Sequence, residues 1–157
     1  MADIRLGARV AVDVGTVRVG VAKCDSAAIL ATPVATLRRY QGDQRRVAKL
    51  AKKISAIEII VGLPLNMDGS EGSAAQGARK WAQQLQNRVE VPVRLVDERL
   101  SSVSAHQQLR QSGRHEIDHK AVVDQAAAVI ILESALEFER RNGRPPGESL
   151  EQGEESA

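Results

Sequence analysis

The sequence predicts an α/β domain in which helices flank a mixed five-stranded sheet. Three observations predict it. The valine- and alanine-rich runs Arg9–Val14 and Arg18–Cys24 are separated by a short turn holding Gly15, the pattern of paired strands. The apolar runs Glu58–Gly62 and Val91–Val96 each follow a stretch of helical periodicity, and a strand reached through a helix pairs parallel to an earlier one. The segment Ala121–Leu132 is apolar except for Asp124 and Gln125, which marks a largely buried helix.

The elements follow in order. Residues 1–8 read as a lead-in. Strands are expected at about 9–14 and 18–24, and a third near Pro33–Leu37, with Pro33 at its start, completes an antiparallel meander. Gly42-Asp43 opens a helix with Asp43 as N-cap, and Val47, Leu50, Ala51 and Ile54 form its apolar face. Its other face carries Arg45, Arg46, Lys49, Lys52 and Lys53, with Arg38 and Arg39 just before it. That face is either a solvated surface or a ridge that contacts phosphates. The strand Glu58–Gly62 leads into Gly62–Gly72, a loop dense in turn residues at the carboxyl end of the strand, where open α/β sheets bind ligands. A helix over about 72–87 places Ala75, Ala78, Trp81, Ala82 and Leu85 on one face, with Trp81 in the core. The fifth strand, Val91–Val96, runs into Asp97–Ser102. A helix is expected over 102–111, a polar mobile loop over 113–119 and a final helix over about 119–141, ended by Asn142-Gly143 and Pro145-Pro146.

Composition narrows the class. A chain of 157 residues fits one domain, placed here at residues 1–141. Aromatic residues make up only 2%, so the core must be Val, Ile, Leu and Ala, and recognition resting on base stacking is disfavoured. The single cysteine, Cys24, excludes an internal disulfide and reads as a small buried residue. The N-terminus lacks an apolar core of secretory length and no run reaches transmembrane length, so a cytoplasmic protein with no membrane partner is expected. Net charge is +2, but four glutamates fall in the last ten residues, which leaves 22 basic against 16 acidic residues over 1–147. A basic body with an acidic tail, expected to be disordered over 142–157, fits a nucleic-acid partner.

Three acids stand out by their apolar settings: Asp13 inside the first strand, Glu98 at the end of the fifth and Asp124 in the buried final helix. A carboxylate in such a setting is costly unless paired or ligated. Gly15 and Gly20 remove side chains near Asp13 and let a backbone, phosphate or metal come close, and Arg18 adds a fixed positive charge beside it. With the first strand central, all three acids can converge at one end of the sheet. Three carboxylates are hard oxygen ligands that suit Mg²⁺ or Mn²⁺. Zinc is disfavoured, because Cys24 stands alone and His115 and His119 have no further partner. Two such ions would activate a water and stabilise the leaving oxygen in phosphodiester hydrolysis, chemistry that needs no covalent nucleophile. Taken singly, each acid also fits a plain ion pair: Asp124 with Lys120, Glu98 with Arg99 or Arg94.

Four motifs in order, Asp13–Gly20, Gly62–Gly69, Asp97–Ser102, and Lys120 with Val123–Ala127, resemble the YqgF/RuvX family of pre-16S rRNA nucleases, also described as Holliday junction resolvases. The likeness covers roughly residues 8–141. It implies an RNase H-like fold, and it matches Asp13, Glu98 and Asp124 to the family's catalytic, metal-binding acids. It further implies that Arg18, Arg99, Ser101 and Ser102 position phosphates, with Asp68 a further site candidate. Serines stand at 101 and 102 where the family often has threonines, which keeps the hydroxyl chemistry.

The leading expectation is a metal-dependent nuclease that trims the 5′ end of precursor 16S rRNA, with the ribosomal subunit as a possible setting. A second is a resolvase acting on four-way DNA junctions, whose two-fold substrate calls for a homodimer rather than a monomer. A third is a noncatalytic RNA-binding assembly factor on the same fold. A nucleotide-binding module of the actin type, suggested by Asp-x-Gly-x-x-x-x-Gly, needs two related domains, and this length supplies one.

Overall fold

The computed structural model describes residues 4–100 and 117–150, with side chains of the last helix described from residue 122 onward. Strand β1 (Arg9–Val14) turns back into β2 (Arg18–Cys24) and β3 (Ala31–Arg38). Helix α1 (Asp43–Lys53), β4 (Glu58–Leu63), α2 (Ser73–Gln86) and β5 (Val93–Asp97) follow. A 3₁₀ turn (Glu98–Leu100) continues from β5, and the last helix, α3 (Ile117–Asn142), precedes the two-residue β6 (Glu148–Ser149). The sheet order is β3-β2-β1-β4-β5-β6. The β1–β2 and β2–β3 pairs are antiparallel, β1–β4 and β4–β5 parallel, and β5–β6 antiparallel. Strand β1 is therefore central and meets both a hairpin partner and a crossover partner, in keeping with its burial along its whole length.

Alternation along the strands divides the core in two. Val10, Val12 and Val14 point to one face with Val61 and Leu95, and pack under Val47, Ala51, Trp81 and Leu85 of α1 and α2. Ala11, Ala22, Ile60 and Val96 point to the other, against Ala127, Ala128, Ile131, Leu132 and Ala135 of α3. The small residues on this second face let one long helix lie close to the sheet. Among the described residues no helix is long and apolar enough to cross a membrane.

Four expectations need correction. The sheet has six strands, not five: Leu150 donates its backbone N–H to Val93 O at 2.7 Å and Arg79 pairs with Glu148 at 3.1 Å, so residues 148–150 join a sheet edge where an unstructured tail was expected. Residues 151–157 lie outside the described residues. Asp43 is not the N-cap of α1. Gly42 holds that position, and buried Asp43 opens the helix and accepts a hydrogen bond from Trp81 Nε1 at 2.8 Å. A buried indole N–H needs an acceptor, and a carboxylate in the first turn also complements the helix dipole. Pro33 is the third residue of β3, opposite Ala22 at an irregularity between Val21 and Ala22, where an edge strand tolerates a missing donor. Helix α3 begins at Ile117, so 117–119 of the expected loop, with His119, are helical. The helix expected over 102–111, residues 113–116 and His115 lie outside the described residues.

Candidate active site

The sheet fixes where the three acids go. Asp13 follows Ala11 by two and so faces α3. Its register partner on β2 is Gly20. On its other side, one step beyond the Val12–Val61 pair, lies Gly62 of β4. Both flanking positions thus lack side chains, and both vacated spaces are used. A Cβ at Gly20 would run into the backbone carbonyl of Asp124 on α3. A Cβ at Gly62 would lie 2.5 Å from Glu98 Oε2 and 2.6 Å from Ile131 Cδ1. Glycine on each neighbouring strand therefore lets α3 bring Asp124 down beside Asp13 from one side and the 3₁₀ turn bring Glu98 in from the other. Asp13, Glu98 and Asp124 are each only 4% exposed.

Arg18, at the start of β2, donates from Nε to Asp124 Oδ2 at 2.7 Å and remains partly exposed. Its described partner is thus the carboxylate of Asp124. Arg99 is more heavily committed. It bonds both oxygens of Asp97, with Nη2 2.7 Å from Oδ2, and donates from Nη1 to Met67 O at 3.2 Å. It thereby staples the loop after β4 to the end of β5, and its hydrogen bond holds the Asp97 carboxyl below the usual range. Asp68 in that loop accepts from Ser70 Oγ at 2.6 Å and from Ser70 N at 3.0 Å, and the hydroxyl bond lowers its pKa. These contacts make Asp68 a turn-former.

The basic ridge of α1 is where the sequence put it: Arg45, Arg46, Lys49, Lys52 and Lys53 lie along the helix away from its buried face. The structure does not bring Arg45, Arg46 and Lys49 to the acids, however, because α1 covers the face of the sheet opposite Asp13. Ser101 and Ser102 lie outside the described residues. Cys24 is buried against the α3 face, and burial pushes its thiol up.

Sequence reasoning missed the role of Gly62 and a second charged cluster. Arg9 is fully buried in β1 and lies between Glu58 of β4 and Glu139 of α3. The available signal was an arginine and a glutamate opening two strands that then run apolar. At a strand start a charge reads as exposed, and only the parallel register, which sets Arg9 against Glu58, shows otherwise.

The donor set suits a hard divalent cation: three buried carboxylates and, among the described residues, no thiol or imidazole placed with them. Among the same residues no group of three or more His, Cys, Asp or Glu side chains is already arranged to hold an ion. The residues fit such an ion in the chemistry of their donor atoms.

A central β1 between an antiparallel hairpin and parallel strands, with one long helix across the face that carries Asp13, is a RuvC-type, RNase H-like fold. The solved structure of Thermus thermophilus RuvC matches with a TM-score of 0.57, covering 90% of this chain and 99% of that one at 14% identity. The same protein in complex with Holliday junction substrate matches with a TM-score of 0.51 over 89% of this chain. The chain belongs to the RuvX family, whose model, described as Holliday junction resolvase, matches residues 7–138. Its relatives include a Streptomyces coelicolor protein named "Putative pre-16S rRNA nuclease", 51% identical over 94% of this chain and 90% of its own length. A Kineococcus radiotolerans protein of the same name is 52% identical over 92% of this chain and 78% of its own.

Proposed function

We propose that this chain is a nuclease that hydrolyses phosphodiester bonds in the 5′-end maturation of precursor 16S rRNA, acting in the cytoplasm on the maturing ribosomal subunit. The observation that supports the reading is that Gly20, the register partner of Asp13, lies against Asp124, and Gly62 lies against Glu98, with all three acids buried. Those three carboxylates would hold Mg²⁺ or Mn²⁺, which when bound supplies an activated water and charge stabilisation at the leaving oxygen. Asp13 provides the fixed ligand on the rigid central strand. Asp124 on α3 and Glu98 on the 3₁₀ turn would supply the other two carboxylates. Arg18, bonded to Asp124 and partly exposed, would offer its guanidinium to a phosphate oxygen of the substrate. The family description favours a second substrate, a four-way DNA junction.

One experiment separates the readings. The protein is incubated with precursor 16S RNA and, in parallel, with a synthetic four-way junction, in Mg²⁺, Mn²⁺ or EDTA. Metal-dependent trimming of the RNA is expected, reduced at least about 100-fold in Asp13→Asn and Asp124→Asn with the thermal midpoint retained. Symmetric cuts in the junction alone, by a homodimer, would transfer the activity to DNA. Full activity in Asp13→Asn would remove the proposed site, and binding of the RNA without any cleavage would favour a noncatalytic assembly factor.

A further inference from the structure

We propose that an unpaired strand of the nucleic-acid substrate leaves the carboxylate site, rounds the β3 edge of the sheet at Tyr40 and lies in the cleft between α1 and α2, held by Arg38, Arg45, Lys80 and Arg88. The inference rests on the nuclease reading of the carboxylate site and adds where the rest of the strand goes.

The path begins at the site. Arg18, bonded to Asp124, is the register partner of Arg38 on β3, so the two arginines stand side by side on the α3 face at the same end of the sheet. Arg38 is exposed. The chain then crosses to the opposite face. Arg39 donates its backbone N–H to Val17 O at 2.8 Å and its Nη1 to Gly15 O at 2.7 Å, which locks the end of β3 onto the turn that follows Asp13. Tyr40 comes next, with φ of 68°, a conformation that a bulky side chain rarely adopts. It is 81% exposed, and its ring centroid lies 4.9 Å from the Arg39 guanidinium carbon. An exposed aromatic ring beside a cation is a platform for one unpaired base.

Beyond Tyr40 two adjoining clefts, of about 120 Å³ and 390 Å³, run between α1 and α2 and share Tyr40, Asp43, Gln44 and Gln84. Arg39 and Lys80 line the first, Arg45 and Arg88 the second. Among the described residues the only carboxylate lining either cleft is Asp43, whose Oδ2 accepts from Trp81 Nε1. Net positive charge therefore faces the cleft, where Gln44 donates to Gln84 at 2.8 Å and accepts from Arg88 Nε at 3.4 Å. Spaced cations beside a single stacking ring suit a single-stranded backbone better than a duplex, whose bases are already stacked.

The test reads binding in the Asp13→Asn protein, by fluorescence anisotropy with labelled single-stranded RNAs of about 4, 8 and 16 nucleotides and a matching duplex. Affinity should rise with strand length. Arg45→Gln with Arg88→Gln should weaken the longest strand, leave the shortest unchanged, and reduce the slope of log affinity against log salt by about 1.4, or about 0.7 for each phosphate that is no longer neutralised. Tyr40→Ala should weaken the long single strand about tenfold, Tyr40→Phe should restore it, and the duplex should respond to neither. Unchanged affinity and salt slope in the Arg45/Arg88 variant, or full affinity in Tyr40→Ala, would overturn the path. These residues are at the surface, so loss of fold is not expected, and a thermal melt checks it. Failure of the nuclease reading would show separately, as absence of cleavage by the unsubstituted protein with these binding differences intact.

Discussion

Gly20 lies against Asp124 and Gly62 against Glu98, and an added methyl group should act differently at each. At Gly20 the methyl would meet the backbone carbonyl of Asp124, which belongs to the rigid turn of a long buried helix. Gly20→Ala must therefore lift α3 from the sheet, at a cost of about 1–3 kcal/mol in urea unfolding, with cleavage lost as well. At Gly62 the methyl would meet Glu98 Oε2 and Ile131 Cδ1, both ends of flexible side chains. Gly62→Ala should then cost less than Gly20→Ala in stability and still reduce cleavage, because the side chain that yields is a proposed metal ligand. Equal stability losses in the two variants, or wild-type cleavage by Gly62→Ala, would show that the glycines do not act through Asp124 and Glu98.

Among the elements, α1 and α2 are joined by a contact that neither helix's own sequence announces. Trp81 was legible as core from its spacing with Ala78, Ala82 and Leu85, and it is 2% exposed. Its partner was not legible, because an aspartate after a glycine at a helix start satisfies the N-cap pattern on local grounds alone. The indole N–H decides otherwise by tertiary contact. Trp81→Phe should strand the buried Asp43 carboxylate and cost about 1–3 kcal/mol, and adding Asp43→Ala should recover part of that loss. Additive losses in the double variant would show that the two side chains are not coupled. The same boundary between local and long-range information runs through the rest of the fold. The limits of β1 and β2 could be read to the residue, since valine runs and a short turn are local. The candidate acids could be named because each is a charge in an apolar run. That α1's basic ridge and Asp13 lie on opposite faces required the crossover, and β6 required a pairing between β5 and a segment beyond the last helix.

The whole molecule is closed at the end away from the candidate site by one ion network. Arg5 bonds Glu139 with Nε at 2.7 Å and Nη2 at 2.9 Å, and reaches Glu58 at 3.1 Å. Arg9 Nη2 bonds Glu139 at 3.2 Å, and Arg94 Nε bonds Glu58 at 3.3 Å. The lead-in, β1, β4, β5 and the C-terminal part of α3 thus meet in a few charged side chains, of which Arg9, Glu58 and Glu139 are buried. Burial alone would push the Glu139 carboxyl up. The hydrogen bonds from Arg5, with the charges of Arg5 and Arg9, outweigh it and bring the group down to about 2. A carboxyl depressed in the folded chain binds its proton more readily when unfolded. Its stabilisation is therefore complete above the ordinary value of 4.5 and is lost as pH falls from there towards 2. The size is about 3 kcal/mol for one such group. Urea unfolding of the unsubstituted protein should weaken by that amount across this window, beyond the loss contributed by other acids. Glu139→Gln should be less stable near neutral pH by about 3 kcal/mol, since it removes the nearer of the two carboxylates that face buried Arg9, and its stability should fall less steeply below pH 4.5. Parallel acid profiles for the two proteins would mean that Glu139 does not drive the acid transition, and that the charges closing this end of the sheet hold it together through geometry alone.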